Sequence, residues 1–150
     1  MSNTFNVAEE GHVISLEPVD VGGVAKTLYW SMADWKHASI IVTSGAANNL
    51  ATLTVFKATS KAGAGEHAIA FTSYDAGATD VLGAATATPD TGVAQSAAQS
   101  RLVIEVDATD PDHPYLGVKT SAAAVNLISI VVVLSGGRYP GASSATVDPS

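Results

Sequence analysis

The densest group of residues that could do chemistry is the segment EVDATDPDHPY, residues 105–115. Asp107, Asp110 and Asp112 stand two or three residues apart, and loop carboxylates at such spacings can ligate Ca²⁺. The EF-hand pattern is absent, because its Gly and its final Glu are missing. Aspartate also favours turns by bonding nearby backbone, and Pro111 and Pro114 mark turns too. We therefore predict a connection between two strands, with a Ca²⁺ site at the three aspartates as the alternative.

Other chemistry-bearing patterns are missing from the sequence. The histidines His12, His37, His67 and His113 are far apart, and none forms an H-x-x-x-H pair. The chain has no G-x-S-x-G elbow and no phosphate-binding loop with its lysine. We expect no catalytic residue, no cofactor and no enzyme activity.

Two tryptophans, Trp30 and Trp35, flank the short segment SMAD. An exposed aromatic pair could stack on a sugar ring. The alternative is one tryptophan in the core and one that caps the end of a sheet. The spacing alone does not separate the two.

Composition excludes several classes of partner. The net charge is -7, with only 7 Lys and Arg in 150 residues. Affinity for nucleic acid comes mainly from cationic contacts with phosphate, so neither nucleic acid nor an anionic membrane surface is expected. There is no cysteine, and the first residues lack the basic and apolar regions of a secretory signal. Charged residues make up only 14%. That value fits a surface covered by neighbours or an ordinary uncharged all-β surface.

The elements that must position these residues are strands. Strict alternation of apolar and polar residues is typical of half-buried strands. About eight segments show it, and VLGAATA is a weak ninth; no segment has a sustained helical period. Residues 91–100 fit one helical turn or a loop. The segments are HVISL, KTLYWSM, HASIIVTSG, LATLTVFKAT, HAIAFTSY, RLVIEVDA, YLGVKTS and residues 125–134.

About eight short strands with turn-rich links predict a single-domain, all-β, jelly-roll-like β-sandwich. We assign the sandwich to residues 13–137, an N-terminal arm to residues 1–12 and a C-terminal tail to residues 138–150. HASIIVTSG and LATLTVFKAT are predicted to form a hairpin. The order of the strands in the sheets is not determined by the sequence.

The last strand, residues 125–134, is almost wholly apolar. It is half the length that a membrane-spanning helix needs, and its β-branched residues favour a strand buried on both faces. We predict a central strand. Ile130, Val132 and Leu134 should enter the core, because they are larger than Val131 and Val133 on the opposite face. An adjacent subunit or the N-terminal arm would cover that opposite face.

The order of the segments resembles that of small structural proteins of tailed bacteriophage virions. The segments that carry the resemblance cover roughly residues 4–145, and their specificity lies in their order. They are TFNVAEEGHVISLEPVDVGG, WSMADWKHASIIVTSG, ATLTVFKAT, RLVIEVDATD before YLGVKTS, and VVVLSGGRYPG.

The resemblance implies a capsid decoration protein, made in the bacterial cytoplasm and carried on the capsid surface. It implies the major capsid protein as the partner, with a homotrimer as the assembly that suits threefold positions on a shell. Alternatives are another virion part (tail, neck or fibre) and a sandwich that binds carbohydrate or Ca²⁺. The interface candidates are Phe5, Val7, Val131, Val133, Arg138 and Tyr139.

Overall fold

The computed structural model describes residues 6–47, 51–77, 79, 81–96, 99–108, 110–122 and 126–137. Those residues form an all-β sandwich, which confirms the predicted fold class. They contain one short helix and eleven strands, and the strands make two antiparallel sheets. The elements are α1 (Val7–Glu10), β1 (His12–Asp20), β2 (Thr27–Ser31), β3 (Trp35–Ala47), β4 (Thr52–Ala58), β5 (His67–Ile69), β6 (Phe71–Gly77), β7 (Thr86–Thr88), β8 (Val93–Ala94), β9 (Arg101–Asp107), β10 (Tyr115–Thr120) and β11 (Asn126–Gly137).

The two sheets differ in size. The larger has six strands in the order β1-β11-β3-β9-β6-β7, and the smaller has the order β2-β10-β4-β5 with β8 beside β4. Most consecutive strands lie in alternate sheets, so the chain crosses the sandwich repeatedly. The jelly-roll arrangement stays a prediction.

The core lies between the sheets and follows the alternation of the sequence. The smaller sheet contributes Trp30, Leu53 and Val55, and all three are buried. The larger sheet contributes its inward residues from β3, β9 and β11. They are Ala38, Ile40, Val42, Leu102, Ile104, Val106, Ile128, Ile130, Val132 and Leu134.

The strand β11 has the central position predicted for it. It pairs with β1 on one side and with β3 on the other. Ile130, Val132 and Leu134 are buried in the core, as expected. Val131 and Val133 point the other way and keep part of their surface in solvent, so the single chain does not bury both faces of this strand. Val125 lies outside the described residues.

Two predictions about neighbouring strands are wrong. β3 and β4 do not form a hairpin, because β3 belongs to the larger sheet and β4 to the smaller one. HAIAFTSY is two strands, β5 and β6, that lie in opposite sheets with only Ala70 between them. Alternation determines which side chains point inward, but it does not determine which sheet a strand joins. Because the sheets are only about 10 Å apart, the chain can pass from one to the other within one or two residues.

Most of the segment assigned to the arm precedes the first strand. In α1, the Asn6 side chain accepts a hydrogen bond from the Ala8 amide at 3.1 Å, and Glu10 Oε1 accepts one from the Asn6 amide at 3.2 Å. These reciprocal bonds resemble a capping box. α1 contacts β1 and β11. Among the described residues, no helix has the length and hydropathy to cross a membrane.

Candidate functional site

The side of the six-stranded sheet that faces away from the core carries a row of apolar side chains. In the strand register, Val131 lies beside Ile41, Ile41 beside Val103, and Val103 beside Tyr74. Val13 and Val133 form the start of the next row. We call this surface the outer face; its apolar residues are Val13, Ile41, Tyr74, Val103, Leu127, Val131 and Val133.

The outer face is open to solvent in the single chain. Val13 and Leu127 are each 47% exposed, and the other apolar members are half-buried. The solvated side of a sandwich sheet ordinarily carries polar residues that alternate with the inward ones. An apolar area bordered by polar residues is typical of a surface that meets another chain.

The charges of the outer face lie at its two ends. At one end, His37 on β3 is held by two carboxylates of β9: its Nδ1 lies 2.7 Å from Asp107 Oδ1, and its Nε2 lies 2.5 Å from Glu105 Oε2. Ser39 donates to the same Glu105 oxygen at 2.7 Å. Arg101 lies at the opposite end of β9, where its guanidinium donates a hydrogen bond to the Thr79 carbonyl. The row between these ends, through Val131 and Val103, holds no charged residue.

The pKa of His37 lies above its ordinary value. Partial burial of the imidazole lowers the pKa, but the hydrogen bonds with Asp107 and Glu105 and the charges of these carboxylates outweigh it. The His37–Glu105–Asp107 cluster therefore joins β3 to β9 most strongly when the imidazole is protonated.

A cleft of ≈ 570 Å³ opens at the end of the sandwich where β9 ends and β10 begins. We call it the mouth cleft. Its walls include the core residues Met32, Phe71 and Leu116, and its polar lining includes Lys57 and Asp110. A pocket of this size with an apolar floor and few polar groups is the usual form of a small-ligand site.

Three polar residues of the mouth cleft, Lys57, Asp110 and His113, form one hydrogen-bonded group. Asp110 Oδ2 accepts from Lys57 Nζ at 2.6 Å and lies 2.9 Å from His113 Nδ1, and His113 meets His67 edge-on at 5.5 Å between ring centroids. The hydrogen bond from Lys57 is the main cause that lowers the pKa of Asp110 to about 2; the Asp112 amide and His113 add to it.

The three aspartates of the predicted Ca²⁺ alternative have separate partners. Both Asp107 and Asp110 line the mouth cleft, but Asp107 binds His37 and Asp110 binds Lys57. Asp112 contributes its backbone amide to Asp110 Oδ1 at 3.0 Å, as in an Asx turn. Within the described part of the chain, no three His, Asp or Glu side chains are grouped as a metal ion would need.

The two tryptophans do not form an exposed platform. Trp30 is 2% exposed and Trp35 is 8% exposed. Trp30 belongs to the core of the smaller sheet, and Trp35 opens β3 at the end of the larger sheet, where it stacks on His12. This is the arrangement of one core ring and one ring at the sheet end.

The smaller sheet has a different outward side, which its own chain covers in part. Tyr29 and Lys119 both bind Glu66 in the β4–β5 connection, with Lys119 Nζ 2.5 Å from Glu66 Oε1. Lys119 also lies over the ring of Phe56, 4.4 Å from its centroid.

The interface candidates of the sequence fall into three groups. Val131 and Val133 lie together on the outer face, as predicted, and Val7 is exposed on α1. Phe5, Arg138 and Tyr139 lie outside the described residues. Sequence reasoning missed Val13, Ile41, Val103 and Tyr74 as members of the same surface. Their outward alternation was readable, but the strand register that joins them was not.

No protein-family model, curated protein or solved structure matches this chain.

Proposed function

We propose that this chain is a structural virion protein that binds the outside of a bacteriophage capsid and stabilises the head by bridging capsid subunits. The proposal follows from the order of segments that resembles phage decoration proteins. In this role the protein contributes buried surface between neighbours and carries out no catalysis. Its place of action is the capsid surface of a virion assembled in the bacterial cytoplasm.

The observation that supports the proposal best is the outer face. Val131, Ile41 and Val103 form an uncharged apolar row on a protein whose other apolar side chains mostly fill the core. Burial of such a row against a neighbour gains roughly 25 cal/mol per Å² of apolar area, less the costs of association. A small protein that contributes interface needs this kind of surface.

The ends of the larger sheet support the same role. β1 begins at His12, opposite Leu134, and β11 ends at Gly137, opposite Trp35. The first residue of β1 and the last residue of β11 therefore lie at the same end of the larger sheet. Segments at one end of a domain can reach neighbouring subunits together, which suits Phe5, Val7, Arg138 and Tyr139 as further contact residues.

The assembly we propose is a homotrimer at the threefold positions of the shell. Many weak contacts that act together give avidity, so each copy needs only a modest affinity for the major capsid protein. Closed symmetry is the usual form of homo-oligomers, and a trimer matches the local symmetry of such a position.

The competing role within the same virion is that of a tail, neck or fibre component. Quantitative mass spectrometry of purified virions separates the two, because decoration requires a copy number comparable with that of the major capsid protein. A copy number of a few tens or fewer, in the range of tail and neck parts, would contradict the decoration role.

The alternative function is a sandwich that binds a carbohydrate or Ca²⁺, and the mouth cleft supports its carbohydrate form. Its size and apolar floor suit a small ligand, and Asp110 and Lys57 could hydrogen-bond hydroxyl groups. Calorimetry with a glycan panel and with CaCl₂ tests this role. Saturable heat that Asp110→Asn abolishes would favour it, and no heat with any ligand would dismiss it.

A further inference from the structure

We infer that the outer face pairs with the outer face of a second copy of this chain, about a two-fold axis that passes close to Val103. This inference goes beyond the proposed function because it names the occupant of the outer face, and it does not depend on capsid binding. It rests on the arrangement of charged and apolar side chains along β9 and across its neighbours.

The outward side chains of β9 are, in order, positive, apolar, negative and negative. Arg101, Val103, Glu105 and Asp107 alternate with the buried Leu102, Ile104 and Val106, so Arg101 and Glu105 stand on one line at equal distances from Val103. Consider a two-fold axis that passes through Val103 and runs perpendicular to the strands, along the row of Val103. Rotation about this axis reverses the order of the outward residues of β9. Arg101 of each copy then lies opposite Glu105 of the other copy. In a two-fold interface both ion pairs form at once.

The same rotation places apolar side chains on apolar side chains. The axis runs along the row that contains Val131, Ile41, Val103 and Tyr74, so each of these residues faces its own counterpart. The rows on either side of the axis consist mostly of small or uncharged residues, apart from the Arg101 and Glu105 positions. In this pairing neither Arg101 nor Glu105 lies opposite a β9 residue of like charge in the other copy.

The area of the outer face is sufficient for a specific contact. Five strands at about 4.8 Å and three rows at about 6.6 Å span roughly 24 Å by 20 Å. Two such faces bury on the order of 1,000 Å² in total, which is the lower limit for a specific interface. We therefore expect a weak association that depends on concentration and on charge.

Coupling between Arg101 and Glu105 reports on contact between chains. Within one chain the two residues are four positions apart on a strand, which separates them by about 13 Å. That distance exceeds the Debye length of about 8 Å at physiological salt, so their direct interaction in one chain is small. A rescue of one substitution by the other must come from a second copy.

The test is a charge swap in the full-length chain, read by analytical ultracentrifugation over a range of protein concentrations. Arg101→Glu and Glu105→Arg should each raise the dimer dissociation constant about tenfold or more, because each places like charges opposite one another. The double variant Arg101→Glu/Glu105→Arg should return the constant to within about threefold of the original value. Lys119→Glu, on the other sheet, is the matched control and should leave association unchanged.

Glu105→Arg removes a partner of His37, and Arg101→Glu removes the donor to the Thr79 carbonyl, so the melting temperature of both variants must be measured with their association. A fold that is weakened by this loss would not recover when Arg101 is changed, whereas a lost interface contact would. The inference is overturned if the chain is monomeric at every concentration, or if the double variant associates no better than the single ones.

The outcome also separates this inference from the proposed function. A monomeric chain that pellets with capsids through the outer face would give that face to the capsid protein and overturn the inference alone. Charge-swap rescue in a chain that never binds capsids would support the inference and contradict the proposed function. Under the proposed trimer, the two-fold contact joins chains of neighbouring trimers.

Discussion

The ring of Tyr29 lies directly over the backbone of Gly117 on the neighbouring strand β10. A Cβ atom at position 117 would stand 2.3 Å from Tyr29 Cδ1, closer than any side chain tolerates. Because position 117 has no side chain, Tyr29 can lie across the sheet and donate a hydrogen bond to Glu66. Burial and the Glu66 carboxylate raise the pKa of the Tyr29 hydroxyl. The connection between β4 and β5 is anchored through this contact.

Gly117→Ala should therefore destabilise the fold by about 1–3 kcal/mol, the usual cost of overpacking. Urea denaturation measures the change. Gly45→Ala is the control, because a Cβ there meets Leu127 at an ordinary 3.4 Å. Tyr29→Ala in the Gly117→Ala background should recover part of the loss, since it removes the clash. Equal stability of the two glycine variants would contradict the close contact.

The His37 cluster predicts a pH dependence with a defined sign. Because the folded pKa of His37 lies above the unfolded value, its contribution to stability is complete below the unfolded pKa of 6.5 and is lost as pH rises through the folded pKa. The free energy of unfolding of the original chain, minus that of His37→Asn, should fall as pH rises above about 6.5. A difference that stays constant or rises over this range would contradict the bridging geometry.

Asp110 predicts the opposite dependence, at acid pH. Its folded pKa of about 2 lies below the ordinary aspartate value of 3.8, so its contribution is present above pH 3.8 and is lost as pH falls toward 2. Asp110→Asn should lower the melting temperature at neutral pH, and the gap to the original chain should close on acidification. Asp112→Asn is the matched control, because only the backbone of Asp112 binds Asp110. Equal effects of the two variants would exclude the pairing of Lys57 with Asp110.

Ile130 tests the inward side of β11. It is buried in the core and lies beside Leu16 and Val42 on the adjacent strands. Ile130→Ala should lower the free energy of unfolding by about 2–5 kcal/mol, through the lost transfer energy and the remaining cavity. Chemical denaturation of the isolated chain measures it. A loss below about 1 kcal/mol would show that the inward assignment of this side chain is wrong.

The sequence predicted which side chains of each strand point inward, but not which strands pair with one another. Alternation placed Leu53, Ile104 and Ile130 in the core because it is a local property of each strand. The hairpin predicted for β3 and β4 was wrong, since pairing depends on contacts between residues far apart in sequence. Ala70 alone separates β5 from β6 in the other sheet, and no residue pattern marks such a crossing.

The candidate site was predictable only in part for the same reason. Val131 and Val133 could be identified from a single strand. The outer face needed the register that brings Ile41 and Val103 beside them, and the cluster at His37 needed the pairing of β3 with β9. The mouth cleft is assembled from several strands and loops, so its lining had no signature in any one segment.

The most direct test of the proposed role is the co-sedimentation of Val131→Asp with phage heads that lack this protein. Val131 lies on the outer face, and an aspartate buried there against a second copy would be an unpaired charge, so the contact between neighbouring copies and the avidity that it gives on the head would be lost. We expect the original chain to pellet with the heads in a saturable manner, and Val131→Asp to remain in the supernatant while it melts at nearly the same temperature. Binding of Val131→Asp equal to that of the original chain would contradict the assignment of the outer face as the covered surface, and failure of the original chain to bind would contradict the decoration role itself.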